Sequence, residues 1–114
     1  MNWNTINQIN QILELEQASL QKPVLIFKHS TRCSISRTVL NRFETAFTLI
    51  NPSQINCYLL DLLNHRDISN QLAIEFNVQH ESPQVLVILN GKTVLHKNHY
   101  EIDLSEILDE LNLV

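Results

Sequence analysis

The chain has 114 residues, of which 44% are hydrophobic and 18% are charged, so it is not intrinsically disordered. This length suits a single core, and we expect residues 1–114 to form one domain that needs no disulfide cross-links. The net charge of −4 argues against a general nucleic-acid binder, and no apolar run approaches the ~20 residues that a membrane span needs.

The compartment can be inferred from the N-terminal sequence and the cysteines. The first residues lack the basic start and apolar segment of a signal peptide. The two cysteines, Cys33 and Cys57, suit a reducing compartment better than a secreted disulfide framework. We therefore expect a cytoplasmic protein with no nucleic-acid or membrane partner.

The basic residues are concentrated in residues 28–43, which contain Lys28, Arg32, Arg37 and Arg42 and no acidic residue. Because the whole chain has a net charge of −4, the remaining residues sum to −8. This basic patch surrounds the cysteine at position 33, and it matches a small anionic ligand better than a nucleic acid.

The first predicted element is a helix over residues 7–19, because apolar residues there follow helical spacing. Asn7, or the pair Thr5 and Gln8, can cap its N-terminus. The residues that define the spacing are Ile9, Ile12, Leu13, Glu16 and Leu20.

Two strands and a second helix follow. Residues 24–27 are short and apolar, which predicts a strand buried on both faces. Residues 34–48 have helical periodicity, so a helix begins at or just after Cys33. Residues 55–62 form a nearly continuous apolar run and predict a second buried strand.

The next elements are a helix and a hairpin. Asn64 can cap a helix that runs to about Phe76. Residues 85–89 and 93–96 predict two strands, and the Asn90-Gly91 dipeptide between them is a strong signal for a two-residue hairpin turn. These two strands therefore pair antiparallel.

A final helix is predicted after Asp103, because Asp103 and Glu106 have the spacing of a capping box. The first two strands, joined by a helix, must pair in parallel, and the hairpin adds two antiparallel strands to the same sheet. We therefore predict an α/β, thioredoxin-like fold whose mixed four-stranded central sheet is flanked by helices.

Cys33 is the candidate catalytic residue. A thiol at a helix N-terminus lies among unpaired backbone N–H groups and at the positive end of the helix dipole, and both favour the thiolate. Arg32, Arg37, Lys28 and, when protonated, His29 favour the same form. The alternative role is a small buried hydrophobe, but the residues that flank this cysteine are polar.

Ser36 occupies the position at which a dithiol Cys-x-x-Cys protein carries its resolving cysteine. A serine hydroxyl can donate a hydrogen bond to the thiolate, but it cannot displace a mixed disulfide, which requires a second thiol. The site is therefore predicted to be monothiol, with Ser36 as a second catalytic candidate. The alternative is that Ser36 only satisfies a backbone group in the first helical turn.

Cys57 lies in the middle of a predicted buried strand, where a thiol is inert and belongs to the core. Pro83 precedes the hairpin and should lie beside the start of the cysteine helix. A cis Ser82-Pro83 bond there would leave backbone groups free to pair with a thiol-bearing ligand, whereas a trans proline would only begin the strand. The candidate substrate-binding residues are Thr31, Arg32, Arg37, Ser82 and Pro83.

The histidines do not predict a metal site. His96 and His99 span a strand end and the following loop without a nearby third ligand. We interpret His29, His65 and His80 as surface or site-edge residues, and we expect no bound metal or cofactor.

Three segments resemble one known family. They are Phe27-Lys-His-Ser-Thr-Arg-Cys-Ser-Ile-Ser36, Glu81-Ser-Pro-Gln84 and Asn90-Gly-Lys92. Together they are similar to the bacillithiol-system redox-active proteins, the monothiol bacilliredoxins, and the resemblance extends from about Trp3 to the last helix.

This resemblance implies that Cys33 removes bacillithiol from S-bacillithiolated proteins or carries a bacillithiol cap itself. Bacillithiol would be the thiol co-substrate, with no cofactor bound to the domain. A flavin-dependent bacillithiol disulfide reductase would then be an indirect partner. Bacillithiol bears a malate moiety, which is the kind of anion that the basic patch suits.

Three alternatives remain open. A monothiol glutaredoxin that carries an iron–sulfur cluster would use Cys33 and an external thiol as ligands, but such proteins usually have glycine after the cysteine. An arsenate reductase would need arginine where Val39 stands. A non-catalytic module or a redox sensor capped by low-molecular-weight thiols is distinguished from an enzyme only by turnover.

Overall fold

The core of the fold is a mixed β-sheet in the computed structural model, which describes residues 1–113. The strands are β1 (Asn4–Thr5), β2 (Val24–His29), β3 (Asn56–Asp61), β4 (Gln84–Leu89) and β5 (Lys92–Asn98). Their order across the sheet is β1-β3-β2-β4-β5. β3 pairs in parallel with both β1 and β2, whereas β4 pairs antiparallel with β2 and β5.

Helices cover both faces of this sheet. They are α1 (Gln11–Ala18), α2 (Ser34–Ile50), α3 (Arg66–Glu75) and α4 (Leu104–Glu110), with a short 3₁₀ helix at His99–Glu101. Buried residues of α1 and α3 form one apolar cluster with the sheet, and buried residues of α2 and α4 form the other. The predicted order of elements and the parallel and antiparallel pairings are confirmed.

β2 is the central strand, and all six of its residues are buried. Successive side chains of a strand point to opposite faces. Val24 and Ile26 therefore pack towards α1 and α3, while Leu25 and Phe27 pack towards α2 and α4. A strand covered by helices on both faces has no polar face, which explains its continuous apolar sequence.

The sheet has five strands instead of the predicted four, because β1 adds a short edge strand. β1 has only two residues, both exposed, so it leaves no apolar signal in the sequence. Its flanking residues hold it in place. Ile6 is buried and its N–H donates to Leu59 O at 3.0 Å, while the Trp3 indole stacks on Phe43.

The first helix is shorter than predicted, spanning Gln11–Ala18 instead of 7–19. The predicted caps are not used, since the Gln11 side-chain oxygen accepts from the backbone N–H groups of Asn7 and Gln8 and holds them in a turn. The apolar spacing also predicted the wrong buried face for α1. Ile12 and Leu15 are buried, whereas Leu13 is 64% exposed.

The turn and cap predictions had mixed outcomes. Asn90 and Gly91 both have positive φ, as a type I′ turn requires, and they connect β4 to β5. α3 is preceded by His65 at its N-cap position, so the cap predicted at Asn64 is wrong. The Asn64 amide instead donates to Asp61 Oδ2 at 2.7 Å.

Over residues 1–113, no helix is both long and apolar enough to cross a membrane. In the same part of the chain, no group of three or more His, Cys, Asp or Glu side chains is placed to hold a metal ion.

The N-cap of α4 gives a test of local stability. The Asp103 side chain accepts a hydrogen bond from the Glu106 backbone N–H at 3.0 Å, as the capping box predicted. Replacing Asp103 with Ala should lower the free energy of unfolding by about 1 kcal/mol, because this N–H loses its partner. Urea denaturation measures the change, with Asp109→Ala near the other end of α4 as control. Equal effects of the two variants would contradict the prediction.

Candidate active site

Cys33 lies where β2 passes into α2. It is the N-cap residue of α2 and has extended backbone angles, with φ −104° and ψ 120°. Its N–H donates to Ser30 O at 3.2 Å, and its carbonyl accepts the first helical bond from Arg37 N at 3.1 Å. The thiol is partly exposed. The predicted start of the helix just after this cysteine is confirmed.

Ser36 connects the first turn of α2 to the end of β2. Its side chain is fully buried, and its hydroxyl oxygen accepts from Ser30 N at 3.0 Å. The same oxygen lies 2.7 Å from His29 Nδ1. Among residues 1–113, no hydrogen bond joins this hydroxyl to Cys33. The proposed contact of Ser36 with the thiolate stays a prediction.

His29 is buried, so its interpretation as a surface residue is wrong, whereas its position 2.7 Å from Ser36 Oγ agrees with a site-edge residue. Burial is the main cause that lowers the pKa of its imidazole, with Arg37 adding to the effect and Asp61 and Glu44 opposing it. The neutral ring can accept at Nδ1, and Ser30 N already donates to Ser36. In the tautomer that leaves Nδ1 unprotonated, the Ser36 hydroxyl donates to His29, and burial disfavours the charged form of this imidazole near the thiol.

Lys28 is also placed differently from the sequence prediction. It faces the side of the sheet covered by α3, opposite to α2, and its side chain is fully buried. Its ammonium group donates to Ser69 O at 3.0 Å and lies 3.5 Å from His80 Nδ1. Burial lowers the pKa of Lys28 to about 8. This lysine therefore does not belong to the positive surface around Cys33.

The positive surface at the cysteine is formed by arginines. Arg32 and Arg37 are exposed, and Arg37 Nη1 donates to Thr31 O at 3.2 Å, which holds the loop before the cysteine against α2. Arg42 is exposed two turns further along α2, where it borders a separate cavity with Ile102. Only part of the predicted basic patch therefore borders the thiol.

The Ser82-Pro83 peptide bond is cis, as predicted. Pro83 is buried and directly precedes Gln84, which pairs with Lys28 near the end of β2. The proline therefore lies at the same edge of the sheet as the loop that leads to the cysteine. Pro83 O accepts from His99 N at 2.8 Å, and the buried Ser82 hydroxyl oxygen has no hydrogen-bond partner within residues 1–113.

Cys57 is buried in the middle of β3, as predicted, with 5% of its surface exposed. Burial raises the pKa of its thiol to about 12, so it stays protonated at neutral pH. It pairs with Leu25, four residues before the edge at which β2 ends. Four strand residues span roughly 13 Å, which exceeds the Cα separation that a disulfide allows.

A group of residues on the other side of the cysteine loop was not predicted from the sequence. β2 and β3 end together, since His29 pairs with Asp61, and the turn that follows β3 faces Thr31 and Arg32 across a cavity of about 380 Å³. Leu63, Asn64 and Arg66 form the far wall. The carboxyl ends of paired parallel strands meet at one edge, and this rule could have identified the turn.

Comparison with solved structures defines the class of protein. The chain superposes with a TM-score of 0.79 on a proposed oxidoreductase with a thioredoxin fold, at 28% identity over 93% of this chain and 90% of the other. It also matches a thioredoxin of Malassezia sympodialis with a TM-score of 0.75 and 15% identity, over 97% of this chain and 89% of the other. A thioredoxin of Fasciola hepatica matches with a TM-score of 0.72 and 11% identity, over 96% of each chain. The fold is that of thioredoxin, with one partly exposed thiol at the start of α2.

The family follows from the sequence match. The model of the monothiol bacilliredoxin BrxC family matches residues 4–107, which include Cys33, Ser36 and Pro83. The chain belongs to this family, and it is a thiol redox protein of the thioredoxin fold. The resemblance noted from the sequence is confirmed.

The buried Lys28 predicts a pH effect on stability. Its pKa is about 8 in the folded chain and 10.5 in the unfolded one, so between these values the unfolded chain binds more protons. The contribution of Lys28 to the free energy of unfolding is constant below this window and rises with pH across it. Wild type should therefore gain stability relative to Lys28→Met between about pH 8 and pH 10.5.

Urea denaturation at the two ends of this pH window measures the gain. Lys92→Met is the matched control, because Lys92 is exposed and should show no such change relative to wild type. If the difference in unfolding free energy between wild type and Lys28→Met stays constant across this window, Lys28 has the same pKa in the folded and unfolded chains and the prediction is wrong.

Ser36 gives a test of the contact between α2 and β2. Ser36→Ala leaves the Ser30 N–H and His29 Nδ1 without their partner, which should cost about 1–3 kcal/mol of unfolding free energy. The exposed Ser34 in the same turn provides the control variant Ser34→Ala. Chemical denaturation distinguishes the two, and equal stabilities would contradict the described hydrogen bonds.

Proposed function

We propose that this protein is a thiol–disulfide oxidoreductase that reduces S-bacillithiolated proteins through Cys33. The observation that carries the proposal is the contrast between the two cysteines. Cys33 is partly exposed at the N-terminus of α2, whereas Cys57 is buried and far from that edge of the sheet. One usable thiol supports a monothiol reaction, and membership of the monothiol bacilliredoxin family supports bacillithiol as the thiol that is transferred.

In the first step, the Cys33 thiolate attacks the bacillithiol sulfur of a client mixed disulfide. The bond between the client sulfur and the bacillithiol sulfur breaks as the new bond to Cys33 forms. The client thiolate leaves and takes a proton from water. The client is thereby reduced, and the bacilliredoxin is left with a bacillithiol cap.

In the second step, an external thiol must remove the cap, because the Ser36 hydroxyl cannot displace a disulfide. A bacillithiol thiolate attacks the bacillithiol sulfur of the cap, which releases bacillithiol disulfide and restores the Cys33 thiolate. A flavin-dependent reductase then returns this disulfide to two thiols. The client proteins, bacillithiol and, indirectly, this reductase are the proposed partners, with no cofactor bound to the chain.

The residues around Cys33 have distinct proposed roles. The first N–H groups of α2 and the guanidinium groups of Arg32 and Arg37 stabilise the thiolate and attract an anionic thiol. Ser82 and Pro83 border the loop on the β4 side, where the Ser82 backbone can pair with an extended client segment, since Pro83 O already accepts from His99 N. Thr31 shapes the loop, since its carbonyl is held by Arg37.

The cellular context is part of the same proposal. A reduced thiol that is recycled by a thiol pool suits the cytoplasm. A redox sensor would accept the bacillithiol cap but would not catalyse repeated release of client thiols. Multiple turnovers with bacillithiol and its reductase therefore separate the proposed enzyme from a sensor.

Cap transfer can be followed by mass spectrometry after exposure to bacillithiol disulfide. Wild type and Cys57→Ser should each gain one bacillithiol group at Cys33, and Cys33→Ser should gain none. With a bacillithiolated client, wild type should release the client thiol, whereas Cys33→Ser should leave it capped. An internal disulfide between Cys33 and Cys57 that forms as fast as cap transfer would overturn the monothiol mechanism.

Ser36→Cys tests the absence of a resolving thiol. The new thiol would lie one helical turn from Cys33 and beside His29 Nδ1, which can accept its proton. We expect this variant to lose the cap and form an internal disulfide without added bacillithiol, because Cys-x-x-Cys spacing allows disulfide geometry. Ser34→Cys is the control, since that residue is exposed and adjacent to Cys33. A stable cap on Ser36→Cys would contradict the expectation.

A further inference from the structure

A second feature of the active-site edge is a cavity on the β3 side of the cysteine loop. Its volume is about 380 Å³, within the range of small-ligand clefts. We call it the arginine groove. It is lined by Thr31, Arg32, Leu63, Asn64 and Arg66.

The walls of the arginine groove are fixed by hydrogen bonds. Leu62 N donates to His29 O at 3.0 Å, which continues the pairing of β2 and β3 past the end of the sheet. The Asn64 side chain donates to Asp61 Oδ2 at 2.7 Å, and its backbone N–H donates to Asp61 O at 3.3 Å. The turn that leads into Arg66, the first residue of α3, is therefore held beside the end of β2, where the cysteine loop begins.

The charge of the arginine groove is positive. Arg32 and Arg66 both line it, and within residues 1–113 neither forms a salt bridge. No acidic residue belongs to the described lining. Asp61 lies in the adjoining turn, where Oδ2 accepts from Asn64 and Oδ1 is buried without a partner within residues 1–113, and Asp67 is exposed in the first turn of α3. Both guanidinium groups are therefore left without a carboxylate partner within residues 1–113.

We propose that the arginine groove binds the carboxylates of the low-molecular-weight thiol, with Arg32 and Arg66 each able to hold one carboxylate of a malate-like group. The planar guanidinium fork matches a carboxylate in a bidentate geometry. The proposal rests on the proposed function, since it names where the small thiol of that reaction lies. It also assigns the specificity for a dicarboxylate thiol to Arg66, which is remote in sequence from the cysteine motif.

The position of the groove has a consequence for the mixed disulfide. β2 lies between β3 and β4, so the arginine groove and Pro83 lie on opposite sides of the cysteine loop. A client segment on the Pro83 side leaves the groove free for the small thiol. Both halves of the mixed disulfide can then contact the protein while Cys33 attacks.

A kinetic comparison of two disulfides tests the proposal. The rate of Cys33 capping is measured with bacillithiol disulfide and with 2-hydroxyethyl disulfide, which is neutral and has no carboxylate. Arg66→Gln should slow the reaction with bacillithiol disulfide roughly tenfold, the effect of losing one charge-assisted contact, and leave the rate with the neutral disulfide unchanged. Arg42→Gln is the matched control, since it removes the same charge from an exposed position that borders a different cavity.

Either of two kinetic results would overturn the proposal. If Arg66→Gln slows both disulfides equally, the arginine acts on the thiol or on the fold and not on the carboxylates. If Arg66→Gln and Arg42→Gln have the same effect on bacillithiol disulfide, the overall charge and not the groove attracts the anion.

A binding measurement separates the groove from the proposed reaction. L-malate added to wild type should shift the backbone amide signals of Arg32, Asn64 and Arg66 in a two-dimensional NMR spectrum, and neutral malamide should not. Arg66→Gln should weaken the malate response. Absence of these shifts would refute the groove. Malate binding together with no release of a bacillithiolated client would refute the proposed function and leave the groove intact.

Discussion

The geometry of the active site depends on the contact between Ser36 and the end of β2. The Ser36 hydroxyl oxygen accepts from Ser30 N and lies 2.7 Å from His29 Nδ1, so one buried side chain joins the first turn of α2 to the central strand. An unpaired buried N–H or imidazole nitrogen is costly, and this cost keeps the turn in place. The loop between these anchors contains Cys33, whose N–H is bound to Ser30 O. Hydrogen bonds on both sides therefore hold the loop that carries the thiol.

The central position of β2 determines what can approach that corner. β2 is covered by helices on both faces and paired on both edges, and its carboxyl end leads into the loop that carries Cys33. On one side, β4 begins after the cis bond before Pro83. On the other side, β3 ends at Asp61 and leads into the turn with Arg66. The same pairing that forms the core thus places two different surfaces beside one thiol.

The two faces of β2 separate the basic residues that lie near the cysteine in the sequence. Lys28 and His29 are neighbours in sequence, yet the alternation of a strand sends the lysine towards α3 and the histidine towards α2. Burial favours the uncharged form of both side chains. The positive charge near Cys33 comes from Arg32 in the loop and Arg37 near the start of α2, and both side chains are exposed. Under the proposed function, these guanidinium groups are the ones that would contact the carboxylates of the small thiol.

The sequence by itself determined the order of elements, the pairing of the main strands, the Asn90-Gly91 turn and the Asp103 cap. It also predicted the cis proline and the burial of Cys57. These features depend on local spacing and on backbone conformations that particular residues favour. The edge strand β1, the buried face of α1, the burial of Lys28 and His29, and the approach of Arg66 to Arg32 were decided by tertiary structure. Each of them depends on which side chains of distant segments meet. The alternation of side chains along β2 and the shared end of β2 and β3 determine which of these side chains come into contact. No local pattern in the sequence specifies how close such distant segments lie.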